Sequence, residues 1–185
     1  MIELLTIPRF LDPTALLEEV RNATATAATV YGSRSAVESN VRRTKRLDVS
    51  HATRDFVVGR LMEQKDAIAA HFGVSVDECE EPQFLRYDEG DFFVPHQDGN
   101  TPMVWDDSRF RRISAVIFLS EKSDEPAEGT YGGGALVFHG PYTGPELRVP
   151  AGAQPGSLVA FRAETTHEVT PVTHGVRYTI ATWFR

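Results

Sequence analysis

From Phe84 to its end the chain breaks into short runs of β-branched and aromatic residues closed off by Gly, Pro or Asp, and few folds accept that texture. The runs Gln83 to Tyr87, Phe92 to His96, Ile113 to Leu119, Ala135 to His139, Ser157 to Phe161 and Val176 to Phe184 read as strands. Several are apolar on both faces, so each needs cover on two sides. A sheet closed on itself inside and covered by helices outside provides it, as in a small barrel or a double-sheet jelly roll. The mouth of such a barrel is the natural pocket.

Before that point the pattern is helical. Asp12 can cap, Pro13 suits a first helical position, and Leu16, Leu17 and Val20 repeat on one face, with the helix fading in the Ala/Thr run. A second helix is expected from near Ser50, carrying Val57, Leu61, Ile68 and Phe72 on one stripe and stopped by Gly73. The polar segment Ser33 to Lys45 lies between them. The expected class is α+β in a single domain over residues 1–185, with a mainly helical part, 1–80, packed on the outer face of a jelly-roll core, 81–185.

Cys79 is the only cysteine, which excludes an internal disulfide and a thiolate metal cluster within one chain. A metal would therefore sit on His, Asp or Glu. With 19 basic and 26 acidic residues the formal charge is -7, the wrong sign for a protein that lives on phosphate backbones, so nucleic acid is not an expected partner. Residues Met1 to Leu5 lack a basic leader followed by an apolar core, and no stretch has the length of a membrane span. A soluble cytoplasmic protein is the expectation.

His96 and Asp98 stand two apart at a strand end, so both side chains project from one face and can converge on one ion. His167 can supply a third ligand, ahead of a hairpin over Pro171 to Gly175 whose return strand carries Arg177. Two imidazoles and one carboxylate on one side of Fe(II) leave adjacent positions open for a bidentate oxo-acid and O₂. His139, His174, His51 and His71 compete for the third place and rank below His167, because His174 reads as a turn residue and His71 as a helix-end residue. Alternation puts Arg177, Thr179, Ala181 and Trp183 on one face of the final strand. A guanidinium buried there needs an anion, and its planar fork matches a carboxylate.

The ordered set Arg86-Tyr87-Asp88-Glu89-Gly90, His96-Gln97-Asp98, Gly133-Gly134 before Leu136 and Phe138, and His167 to Val172 with Arg177 and Trp183 resembles the prolyl 4-hydroxylase-like group of the Fe(II)/2-oxoglutarate dioxygenase superfamily. The resemblance implies a double-stranded β-helix with iron on His96, Asp98 and His167, which are then the catalytic residues, and 2-oxoglutarate anchored by Arg177 with a contact from Tyr87. It implies oxidative decarboxylation to succinate and CO₂, with hydroxylation of a small molecule or a protein residue such as proline as the usual outcome. Phe118 departs from it, standing where many relatives carry a tyrosine that helps hold the co-substrate, so Thr179 or Ser114 is expected to assist Arg177. Collagen-type members are described with Lys in place of the arginine, and halogenases vacate the carboxylate position that Asp98 fills here.

The segment Gly99 to Phe110 leaves directly from Asp98 and reads as a substrate lid, with Trp105, Asp106 and Arg109 as substrate contacts. Arg86 and Trp183 are further candidates for substrate contact, and Glu121 to Tyr131 reads as a mobile connection. Two other classes fit the same residues. One is a zinc hydrolase with Glu168 as base; the other is a non-catalytic barrel in which Arg177 binds an anion or a carbohydrate.

Overall fold

The structure, a computed structural model, describes residues 2–28, 40–99, 106–140, 148–152 and 154–185. The chain opens with strand β1 (Leu4–Ile7), helix α1 (Pro13–Asn22) and strands β2 (Thr24–Ala27), β3 (Arg42–Arg43) and β4 (Lys45–Asp48). Helix α2 (His51–Phe72) follows, then β5 (Gln83–Tyr87), β6 (Phe92–His96), a 3₁₀ turn (Asp107–Phe110), β7 (Ile113–Phe118) and β8 (Glu121–Lys122). The remaining strands are β9 (Thr130–Gly133), β10 (Leu136–His139), β11 (Arg148–Pro150), β12 (Leu158–Arg162), β13 (His167–Val169), β14 (Val172–Gly175) and β15 (Arg177–Phe184).

Both helices form where the capping residues place them. Asp12 accepts the Thr14 amide at 3.0 Å and Pro13 opens α1. Ser50 Oγ takes the Thr53 amide at 3.2 Å, and Gly73 closes α2 at φ +62, a left-handed conformation costly for any side chain with a Cβ. Val57, Leu61, Ile68 and Phe72 form the buried stripe.

Strand order in the larger sheet is β1-β12-β7-β15-β5-β4-β2, and in the smaller β11-β10-β13-β6-β3. Period-2 alternation explains why their central strands are apolar throughout. On β12, Leu158 and Ala160 join the core under the helices, whereas Val159 and Phe161 turn inward to meet Leu136 and Phe138 of β10. On β15, Tyr178, Ile180 and Phe184 pack towards α1 and α2, leaving Arg177, Thr179, Ala181 and Trp183 on the inner face. The arrangement is a sheet-on-sheet jelly roll with helices on its outer face.

Three expectations change. The part before residue 81 carries α1 and α2, but β1, β2 and β4 also join the larger sheet; the Ala/Thr run is β2, and β3 and β4 lie at the end of the expected polar segment and just beyond it. No hairpin links His167 to Arg177: Val172–Gly175 is itself a strand paired with β9, so the chain crosses from the smaller sheet to the larger by way of a third. Glu121 to Tyr131 is not merely a connection, since Glu121 and Lys122 pair in parallel with Thr130 and Tyr131. Residues 100–105, including the expected substrate contact Trp105, lie outside the described residues, while the rest of the expected lid ends in the 3₁₀ turn.

Candidate functional site

β6 and β13 are antiparallel neighbours, and His96 and His167 are register partners across them. Asp98 follows just beyond β6, its amide held by the Ala163 carbonyl at 2.9 Å. One ligand atom from each of these three residues lies within 4.8 Å of the others, and they are the only such His/Cys/Asp/Glu group among the described residues. Nε2 of His96 is 3.5 Å from Asp98 Oδ1, and Nε2 of His167 is 3.5 Å from Asp98 Oδ2.

Backbone carbonyls choose the tautomers. His96 Nδ1 donates to the Val94 carbonyl at 2.8 Å and His167 Nδ1 to that of Thr165 at 2.9 Å. Each ring therefore turns its other nitrogen, Nε2, towards the centre, the atom that a metal would take from a neutral ring. Burial pushes the His167 imidazole down to about 4, against the pull of the Asp98 carboxylate. Burial also opposes charge on Asp98, yet the two imidazoles and the Ser114 hydroxyl outweigh it and hold its carboxyl well below the usual range. A mostly buried carboxylate that faces two imidazole Nε2 atoms, with one hydroxyl as its hydrogen-bond donor, is a mixed nitrogen and oxygen set that suits a divalent cation.

The surrounding side chains fix the ligands. Ser114 Oγ donates to Asp98 Oδ2 at 2.6 Å. Phe93 stacks on the His96 ring at 3.5 Å, and Phe161 meets the His167 ring edge-on at 4.7 Å. A register shift between His167 and Val169 lets Phe93 and His96, three apart, share one side of β6. Arg111 grips both Glu80 carboxylate oxygens at 2.7 Å, donates to the Asp98 carbonyl at 3.2 Å and lies 3.7 Å over the Trp183 ring. No sequence expectation covered Arg111, Glu80 or Phe93, because none belongs to a spaced motif.

Arg177 starts β15 opposite Tyr87, and its side chain is only 1% exposed. Its guanidinium carbon lies 5.0 Å from the Tyr87 ring centre and 5.6 Å from that of Phe118. Nη1 donates to Thr179 Oγ1 at 3.3 Å, and among the described residues Nε has no hydrogen-bond partner and no carboxylate pairs with the guanidinium. A buried guanidinium left without a counter-ion costs several kcal/mol, roughly, which sets Arg177 apart as a candidate anion-binding group.

The other expected site residues divide. Tyr87 and Thr179 stand beside Arg177, and Trp183 is the register partner of Ser114, next to the carboxylate ligand. The Trp183 Nε1 has no hydrogen-bond partner among the described residues. Ser114 serves Asp98 rather than Arg177, because alternation fixes its face but not which end of the barrel it reaches. Arg86 points to the opposite face of β5 from Tyr87 and is committed to Asp88 at 2.7 Å. Asp106 is spent capping the 3₁₀ turn through the Ser108 amide at 2.9 Å, and Arg109 lies over the exposed Phe110. Glu168 pairs with Arg148 and sits 3.3 Å from His139 Nε2, on the other face of β13 from His167, so it is not placed to act as a base at the metal centre.

The sequence model described as the 2OG-Fe(II) oxygenase superfamily matches residues 82–185. A PKHD-type hydroxylase of Paracoccus denitrificans is 38% identical over 104 residues, 55% of this chain and 41% of that protein. Another, of Nitrobacter winogradskyi, is 33% identical over 131 residues, 70% of this chain, and the match spans only 52% of that relative's length. Among solved structures, a Pseudomonas putida prolyl-4-hydroxylase superposes with a TM-score of 0.71 at 22% identity, covering 100% of this chain and 93% of that one. A prolyl hydroxylase from Trichoplax adhaerens, in complex with a peptide fragment of the hypoxia inducible factor oxygen degradation domain, gives 0.73 at 17% identity, covering 100% and 84%. At these identities the likeness is one of fold.

Proposed function

We propose, because this chain belongs to the 2OG-Fe(II) oxygenase superfamily, that it hydroxylates a peptidyl residue such as proline, or a small molecule of similar shape, at the expense of 2-oxoglutarate and O₂. One oxygen atom would enter a substrate C–H bond and the other would enter succinate, with CO₂ released. The observation that carries this reading is the convergence of two imidazole Nε2 atoms on one mostly buried carboxylate, each 3.5 Å from it.

His96, Asp98 and His167 would hold Fe(II), which when bound supplies the redox chemistry that O₂ requires and open positions for an oxo-acid. The chain's own residues do the rest. The Val94 and Thr165 carbonyls and the Ser114 hydroxyl hold the three ligands in one orientation. Arg177, steadied by Thr179 and faced by the Tyr87 ring, would take the far carboxylate of 2-oxoglutarate through charge-assisted hydrogen bonds. Phe93, Phe138 and Phe161 pack about the imidazoles and exclude water. Trp183, clamped by Arg111, is the best-supported substrate contact on the inner face.

A peptidyl substrate is supported by the fold shared with prolyl hydroxylases and by the match to PKHD-type hydroxylases. Among the described residues no helix is long and apolar enough to cross a membrane. The test is succinate formation with Fe(II), 2-oxoglutarate and proline-containing peptides. His96→Ala and Arg177→Ala should each abolish it, and unchanged turnover in both would remove the mechanism.

A further inference from the structure

Tyr131 is 1% exposed, and its phenol oxygen has no hydrogen-bond partner among the described residues. A buried hydroxyl left unpaired is costly, and such groups are retained where an outside partner satisfies them. The surroundings of Gly134 show where this phenol lies. A Cβ on Gly134, which sits at φ +52, would come within 2.8 Å of Arg177 Cδ, 3.1 Å of Val172 Cγ2 and 3.2 Å of Tyr131 Cε2. The phenol ring and the arginine stem therefore flank one spot. Val172 packs in the same cluster as Leu85 and Tyr87, and the Tyr87 ring faces the guanidinium at 5.0 Å. The unpartnered hydroxyl and the unpartnered Nε of Arg177 thus belong to the same end of the barrel. Phe118, the other ring near the guanidinium at 5.6 Å, carries no hydroxyl.

We propose that Tyr131 is a binding residue for 2-oxoglutarate, its phenol donating to the far carboxylate that Arg177 neutralises. The proposal rests on the function proposed above and assigns to β9 a contact that none of the expected site residues supplies. Gly134 is then required to be glycine so that both donors reach one anion.

Titration of the Mn(II)-loaded chain with 2-oxoglutarate and with 2-oxobutanoate, which keeps the keto-acid and lacks the far carboxylate, separates the two ends of the ligand. Tyr131→Phe should weaken 2-oxoglutarate about tenfold, or about 1.4 kcal/mol, and leave the affinities for 2-oxobutanoate and Mn(II) unchanged. A second readout needs no variant: the Cζ carbon of Tyr131, labelled with ¹³C, should shift on adding 2-oxoglutarate and not on adding 2-oxobutanoate. Unchanged 2-oxoglutarate affinity in Tyr131→Phe, equal weakening of both acids, or an unmoved Cζ resonance would overturn the assignment while leaving the proposed function standing. A wild-type chain that takes up Mn(II) yet binds neither acid would overturn the proposed function, and this assignment with it.

Discussion

Ser114 Oγ donates to Asp98 Oδ2 at 2.6 Å, joining a hydroxyl near the start of β7 in the larger sheet to the proposed carboxylate ligand just beyond β6 of the smaller one. The bond fixes which carboxylate oxygen faces His167 and which faces His96. Ser114→Ala should therefore lower Fe(II) or Mn(II) affinity by about 10–100-fold, the usual effect of losing such an outer contact. Metal titration measures it, and melting of the metal-free protein should change little.

Arg177 gives an opposite pattern of stability and binding. Because its guanidinium lacks a counter-ion among the described residues, Arg177→Met should leave the unliganded protein as stable or make it more so. The same variant should lose 2-oxoglutarate affinity by roughly 100-fold, the share of two charge-assisted hydrogen bonds. Urea unfolding and calorimetric titration read the two effects. A large loss of stability without ligand would mean that the side chain is structural.

The Arg111–Glu80 pair is structural in just that sense. With side chains 6% and 20% exposed and two hydrogen bonds of 2.7 Å, removing either partner leaves a charge buried beside Asp98. Arg111→Ala should cost roughly 3–5 kcal/mol, whereas Arg111→Met combined with Glu80→Leu should recover most of it. Urea unfolding of the three variants forms the comparison.

Acid sensitivity should be traceable to Asp88. Burial opposes its charge, but Lys45 and Arg86 outweigh that and hold its carboxyl below the usual range. A carboxyl depressed in the folded state stabilises the fold above its unfolded value near 3.8 and loses that contribution as pH falls through the folded value. Asp88→Asn should therefore cost about 1 kcal/mol at neutral pH, as a partly exposed pair does, and little once the pH has fallen through the folded value. Unfolding midpoints across pH check the sign.

Much of the site was legible because its chemistry is carried by spacing. His96 and Asp98 share a face two residues apart, and alternation along β15 put Arg177, Thr179 and Trp183 on the inner side. Both helices were legible from Asp12, Pro13, Ser50 and Gly73. What escaped depends on partners far along the chain. The Thr24–Ala27 strand is exposed throughout and has no alternation to betray it, and Pro171 and Gly175 look like turn punctuation although the residues between them pair with β9. Ser114 was assigned to the wrong end of the barrel, and Asp106 was read as a substrate contact when its carboxylate caps a turn, because short polar residues cap and coordinate with the same atoms.

The most direct measurement follows the metal and the oxo-acid together. Fe(II) added to the protein without oxygen should bind at one ion per chain, and 2-oxoglutarate should then raise a visible charge-transfer band that saturates at one equivalent. His167→Ala should lose the band. Metal uptake of unchanged affinity in His167→Ala, or a wild-type protein that binds Fe(II) but never develops the band, would contradict the account.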